Sequence, residues 1–106
     1  MKTEEELKDE GTSYNKGVFP LSANSRAKAI SHTDGMVKIL ADKSTDKILG
    51  AHMIGANVTE MIAEAVVARK LETTGHEILK TVHPHPTLSE AFMEATAAAY
   101  DEVIHL

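Results

Sequence analysis

The chain of 106 residues carries 11 Lys and Arg against 16 Asp and Glu, a formal net charge of -5, which leaves no electrostatic footprint for nucleic acid or an anionic membrane. Hydrophobic content of 42% with 25% charged residues fits one ordinary globular domain, and no apolar run approaches the ~20 residues of a membrane span. With no cysteine, the chain by itself is excluded from disulfide frameworks, thiolate metal sites and thiol redox chemistry.

The acidic start, Met1 to Glu6, reads as neither a secretory signal nor a transit peptide. Thr3 and Glu6 have capping-box spacing and predict a short helix ending near Gly11. Residues 14–21 hold Val18, Phe19 and Leu21 interrupted by Pro20, which suits an edge strand or a strand end. Residues 24–30 fit either a short helix or an irregular link. Asp34-Gly35 signals a turn, after which Val37, Ile39 and Ala41 alternate with Lys38 and Leu40 as in a strand. Polar residues 42–47 turn the chain into a second clear strand over 48–54, bounded by Gly55, and a meander is the simplest pairing.

From Asn57 the period changes. Asn57 and Glu60 have cap spacing, and Met61, Ile62, Ala65, Val66 and Ala68 recur at helical intervals. Thr74 and Glu77 open a short helix through Leu79, and Pro84 and Pro86 stop any helix running onward. Thr87 and Glu90 predict the cap of a last helix carrying Leu88, Ala91, Phe92, Ala95, Ala98 and Ala99. Strands early and helices late indicate an α+β fold, an antiparallel β-sheet with helices packed on it. There is no internal repeat.

The segment that carries chemistry is His83-Pro84-His85-Pro86-Thr87-Leu88-Ser89-Glu90. It sets two imidazoles and a carboxylate around a helix start stiffened by two prolines. A histidine titrates near neutral pH, and a carboxylate beside it favours the protonated ring and holds one tautomer, so a proton-transfer dyad is one reading. Helix capping by Glu90 is the other, since the same spacing recurs at Thr3/Glu6, Asn57/Glu60 and Thr74/Glu77. The readings are compatible, because a carboxylate has two oxygens. His83 and His85 also form a His-x-His pair, but no further ligand stands at a useful short spacing to complete a metal site. His32, His52, His76 and His105 are scattered and read as surface or locally bonded residues.

The stretch from His85 to Ala91 (His-Pro-Thr-Leu-Ser-Glu-Ala) resembles the C-terminal signature of the flavin-dependent pyridine nucleotide disulfide oxidoreductases, and its His-x-His-Pro-Thr form is most similar to the dihydrolipoamide dehydrogenases among them. Residues 5–11 (Glu-Glu-Leu-Lys-Asp-Glu-Gly), 23–28 (Ala-Asn-Ser-Arg-Ala-Lys), 33–40 (Thr-Asp-Gly-Met-Val-Lys-Ile-Leu), 48–54 and 60–65 agree in the same order. The likeness runs from about Thr3 to Ala99. It departs at Pro84, where alanine is the usual residue, over residues 71–80, and over residues 101–106, which lack the family's usual ending.

The resemblance implies a C-terminal dimerisation domain spanning residues 1–106, with the FAD and NAD domains lying elsewhere in a longer protein. It implies that such a protein reoxidises protein-bound dihydrolipoamide through a redox disulfide, FAD and NAD. Partners would then be a second identical subunit and the lipoyl domains of 2-oxo acid dehydrogenase or glycine cleavage complexes. His85 would be the catalytic base, reaching the active site of the other subunit, with Glu90 as its partner; the backbone of His85 and Pro86 would lie near the partner subunit's FAD. The isolated domain is then expected to bind no cofactor, to have no activity, and to form an isologous homodimer weaker than the whole enzyme's. The location would be cytoplasmic in a bacterium and the mitochondrial matrix in a eukaryote. A glutathione-reductase-like relative, and a free-standing dimerisation or metal-binding module using His83 and His85, are the alternatives.

Overall fold

A computed structural model describes residues 1–100; His105 and the departure at 101–106 lie outside them. The elements run α1 (Glu4–Glu10), β1 (Tyr14–Pro20), a 3-10 turn (Leu21–Ala23), α2 (Ser25–Ala29), β2 (Gly35–Asp42), β3 (Ile48–Gly55), α3 (Val58–Lys70), α4 (Gly75–Lys80) and α5 (Glu90–Ala98). The three strands form an antiparallel meander with β2 central, so β1 is an edge strand and its last residue, Pro20, ends the ladder without costing a central hydrogen bond.

Alternation sorts the two faces of the sheet. Phe19, Val37, Ile39, Ala41 and Ala51 enter one core with Met61, Ala65 and Ala68 of α3, Ile78 of α4, and Ala91, Phe92 and Ala95 of α5. The three helices therefore layer on one face, as an α+β arrangement of early strands and late helices requires. The opposite face is not fully solvated. Leu40, on the Lys38 side of β2, is buried like Leu7 of α1, while Glu4 of α1 accepts the Tyr14 hydroxyl proton at 2.8 Å and lies 3.2 Å from the Lys38 ammonium. α1 covers that end of the sheet, and Gly50 permits its approach, because a Cβ there would run into the Lys2 carbonyl oxygen.

Two expected caps take a different form. Asn57 precedes α3 as predicted, but its φ of 57° is left-handed and its side chain makes no cap bond; its Oδ1 lies 3.3 Å from Nδ1 of His32 instead. Asn tolerates that conformation better than most residues, which is a turn property and not a capping one. α5 starts at Glu90, and Thr87 stands in the turn before it: the Thr87 hydroxyl donates to the Pro84 carbonyl at 2.7 Å and so is not a cap acceptor. The link at 24–30 is a helix, capped by Asn24, whose Oδ1 accepts the Ala27 N–H at 2.8 Å.

Candidate active site at the turn before α5

Residues 81–89 belong to no helix or strand and lead from α4 to the start of α5, meeting α3 at Glu64. Their geometry is set by a short chain of hydrogen bonds. The buried Asn24 side chain donates through Nδ2 to the Thr87 carbonyl at 2.9 Å, joining the start of α2 to the turn. The Thr87 N–H donates to Oε1 of Glu90 at 2.9 Å, which is half of the expected capping box. Glu90, the first residue of α5, is 8% exposed and sits where the helix dipole favours an anion.

The same carboxylate meets His85. Nδ1 of His85 lies 2.9 Å from Oε1 and 3.0 Å from Oε2 of Glu90, so the Nδ1–H donates to the carboxylate. A neutral ring in this tautomer carries its lone pair on Nε2. The His85 side chain is 58% exposed against 10% for Glu90: a ring at the surface, oriented by a carboxylate beneath it. The peptide bond between His85 and Pro86 is cis. Capping and ring orientation coexist at Glu90, as its two oxygens permit.

His83 turns the other way. Its side chain is 5% exposed, with Nε2 2.5 Å from Oε2 of Glu64 on α3 and Nδ1 3.1 Å from the Thr81 carbonyl. The Glu64 hydrogen bond, opposed by burial, raises the His83 pKa above its ordinary 6.5. His83 and His85 thus face different carboxylates on different helices, and the His-x-His spacing does not bring them together as a metal pair. No cluster of three or more metal-ligating side chains occurs among the described residues. His52 and His76 are locally bonded, His52 to the Lys2 carbonyl at 2.9 Å and His76 to Asp46 at 2.6 Å.

Asn24 and Glu64 escaped the sequence reading of the site. Both lie far along the chain from His85, and hydrophobic period says nothing about a polar pair closed by tertiary contact. Removing the Asn24 side chain tests one of these links. Asn24→Ala is expected to lower unfolding free energy in urea by about 2 kcal/mol, because it deletes a cap and strands a carbonyl. Asn24→Asp, which keeps the cap acceptor and loses the donor to Thr87, should fall between; equal stability of all three proteins would contradict the linkage.

The turn from β3 into α3 holds one glycine, Gly55, where a dinucleotide-binding turn uses three to bring backbone onto the pyrophosphate. A cavity of about 400 Å³ lies between α3, α4 and α5, lined by Val67, Ala68, Ile78 and Phe92 among others, and is too apolar to hold a diphosphate. No helix of the described residues is long and apolar enough to cross a membrane.

A profile described as the pyridine nucleotide-disulphide oxidoreductase dimerisation domain matches residues 2–96. The mitochondrial dihydrolipoyl dehydrogenase 2 of Arabidopsis thaliana is 57% identical over 105 residues, covering 99% of this chain and 21% of that protein. The mitochondrial dihydrolipoyl dehydrogenase of Sus scrofa is 56% identical over 98 residues, covering 92% and 19%. The chain therefore spans about a fifth of the length of these curated relatives. Among solved structures, LpdA of Mycobacterium tuberculosis superposes with a TM-score of 0.76 at 28% identity, over 85% of this chain and 20% of that one. The flavoprotein disulfide reductase RclA of Escherichia coli superposes with a TM-score of 0.85 at 24% identity, over 91% and 22%, a likeness of fold.

Proposed function

This chain belongs to the dimerisation-domain family of the pyridine nucleotide-disulphide oxidoreductases, and from that premise we propose that it serves a dihydrolipoyl dehydrogenase, forming its two-fold interface and supplying His85 and Glu90 as the acid-base pair. The observation that carries the reading is the bidentate approach of the Glu90 carboxylate to Nδ1 of His85, which leaves the basic position of the neutral ring at Nε2. The identity to curated dihydrolipoyl dehydrogenases supports that chemistry over glutathione reduction.

A dithiol substrate reacts as a thiolate, and an ordinary thiol of pKa ~8.5 is mostly protonated at neutral pH. Nε2 of His85 takes the proton from one thiol of dihydrolipoamide as its sulfur attacks a redox disulfide outside this chain. A mixed disulfide forms, and the displaced sulfur leaves as a thiolate. Glu90 stabilises the resulting imidazolium and keeps the ring from turning. FAD and NAD, held by other domains of the full-length protein, would supply the path for the electrons, and His85 and Pro86 would be the residues of this chain nearest the flavin of the partner subunit.

The exposed Val67, Leu71 and Val82, the last 93% accessible, lie on α3, just after it and on the turn, and support association with a second subunit through apolar surface. Lipoyl domains of 2-oxo acid dehydrogenase or glycine cleavage complexes are the macromolecular substrates this reading calls for, and the mitochondrial names of the relatives support the matrix as the compartment. The test is an assay of the full-length protein with dihydrolipoamide and NAD. Steady NADH production is expected; turnover with glutathione disulfide and none with dihydrolipoamide would overturn the proposal.

A further inference from the structure

We propose that His83 is a positioning residue for His85: gripped by the Thr81 carbonyl and the Glu64 carboxylate, it fastens the turn that carries His85 to α3. The inference rests on His85 being the base. Of residues 81–86, every one except His83 is exposed, so its ring is the inward anchor of the segment ahead of the base. On the far side of His85 the turn is held by Asn24, Thr87 and Glu90. Without the His83 grip the approach to His85 would lack a side chain packed into the body of the domain.

The grip has a definite protonation state. Both ring nitrogens of His83 face oxygen acceptors, at 3.1 Å and 2.5 Å, and only the doubly protonated ring donates to both. Glu64 from α3 and, more weakly, Glu90 from α5 face the ring and favour that cation. Since the folded-state pKa is raised, the contribution of the grip to stability is complete below the ordinary 6.5 and is lost as pH rises through the higher folded value. Above that value one nitrogen presents a lone pair to an oxygen, and the turn loosens.

Two measurements test this. Long-range proton–nitrogen NMR of the 106-residue chain should find both His83 nitrogens protonated at pH values where an ordinary imidazole is neutral. A neutral His83 ring there overturns the grip without any variant. In the full-length enzyme, Glu64→Gln should lower kcat about tenfold or more with KM within about twofold, and Glu64→Asp should recover part of the loss. The alkaline limb of the kcat profile should also move down in pH. If His85→Gln cripples turnover and a folded Glu64→Gln changes neither kcat nor its pH profile, positioning by His83 is wrong while the base assignment stands. If His85→Gln is itself silent, the base assignment has failed.

Discussion

His85→Gln in the full-length enzyme should lower dihydrolipoamide oxidation by about 10²–10⁴-fold, the range expected when a positioned base is removed from a proton-transfer step. Glutamine retains an N–H for Glu90 but has no nitrogen that accepts a proton at neutral pH. Because the His85 side chain is 58% exposed and contributes little to the core, flavin content and the unfolding midpoint should stay close to wild type. Glu90→Gln should cost less, about tenfold: its amide oxygen can still accept the Thr87 N–H, while the charge that stabilises the imidazolium is gone. The readouts are steady-state turnover and the flavin absorbance of purified protein. Near-normal turnover by His85→Gln would end the catalytic reading of this turn.

The largest effect on folding is expected from the smallest change, Gly17→Ala. Gly17 is buried in β1 opposite Ile39, and a Cβ there would run into the Ala95 carbonyl oxygen and come within 2.5 Å of the Ala99 nitrogen of the α5 backbone. Backbone cannot rotate out of the way as a side chain can, so α5 must move off the sheet or the strand must bend. We expect a loss of about 3 kcal/mol or more, roughly 12 °C or more in Tm for a domain of this size. Gly11→Ala is the control. Gly11 caps α1 with φ of 73° and has open space around its Cα, so alanine there meets only backbone strain, about 1 kcal/mol. Urea denaturation of both variants decides the matter: equal losses would mean that β1 and α5 do not approach as closely as Gly17 indicates.

Much of this architecture was legible in the residues because local physics and tertiary structure agree there. The alternation of Val37, Ile39 and Ala41, the helical run from Met61 to Ala68, and the box at Thr3 and Glu6 each encode an element, although in that run Met61, Ala65 and Ala68 are buried while Val66 is 54% exposed. Where they part, the cause is specific. Asn57 has the right spacing for a cap, but the chain enters α3 through a left-handed residue, and spacing carries no information on φ. Leu40 alternates onto the polar side of β2 yet is fully buried, on the face where Glu4 of α1 meets Lys38 and Lys2 lies over Gly50, a packing of elements that alternation within one strand cannot register. At the site, His85 and Glu90 are near neighbours in sequence and could be paired by inspection. Glu64 and His83 meet only after α3 and the turn have packed, and the resemblance pointed to the second histidine without giving the first a task.

The approach of β1 to α5 at Gly17 also orders events during synthesis. Within this domain β1 is made well before α5, yet each covers the other's apolar face. Until residues 90–98 emerge, Phe19, Val37 and Ile39 have no Phe92 or Ala95 to rest against, and the nascent meander presents a greasy surface with β1 at its edge. Native contacts of this kind close late and from far apart, which slows folding relative to a domain built from neighbouring segments. A meander left open in that interval is prone to associate with other chains until α5 docks.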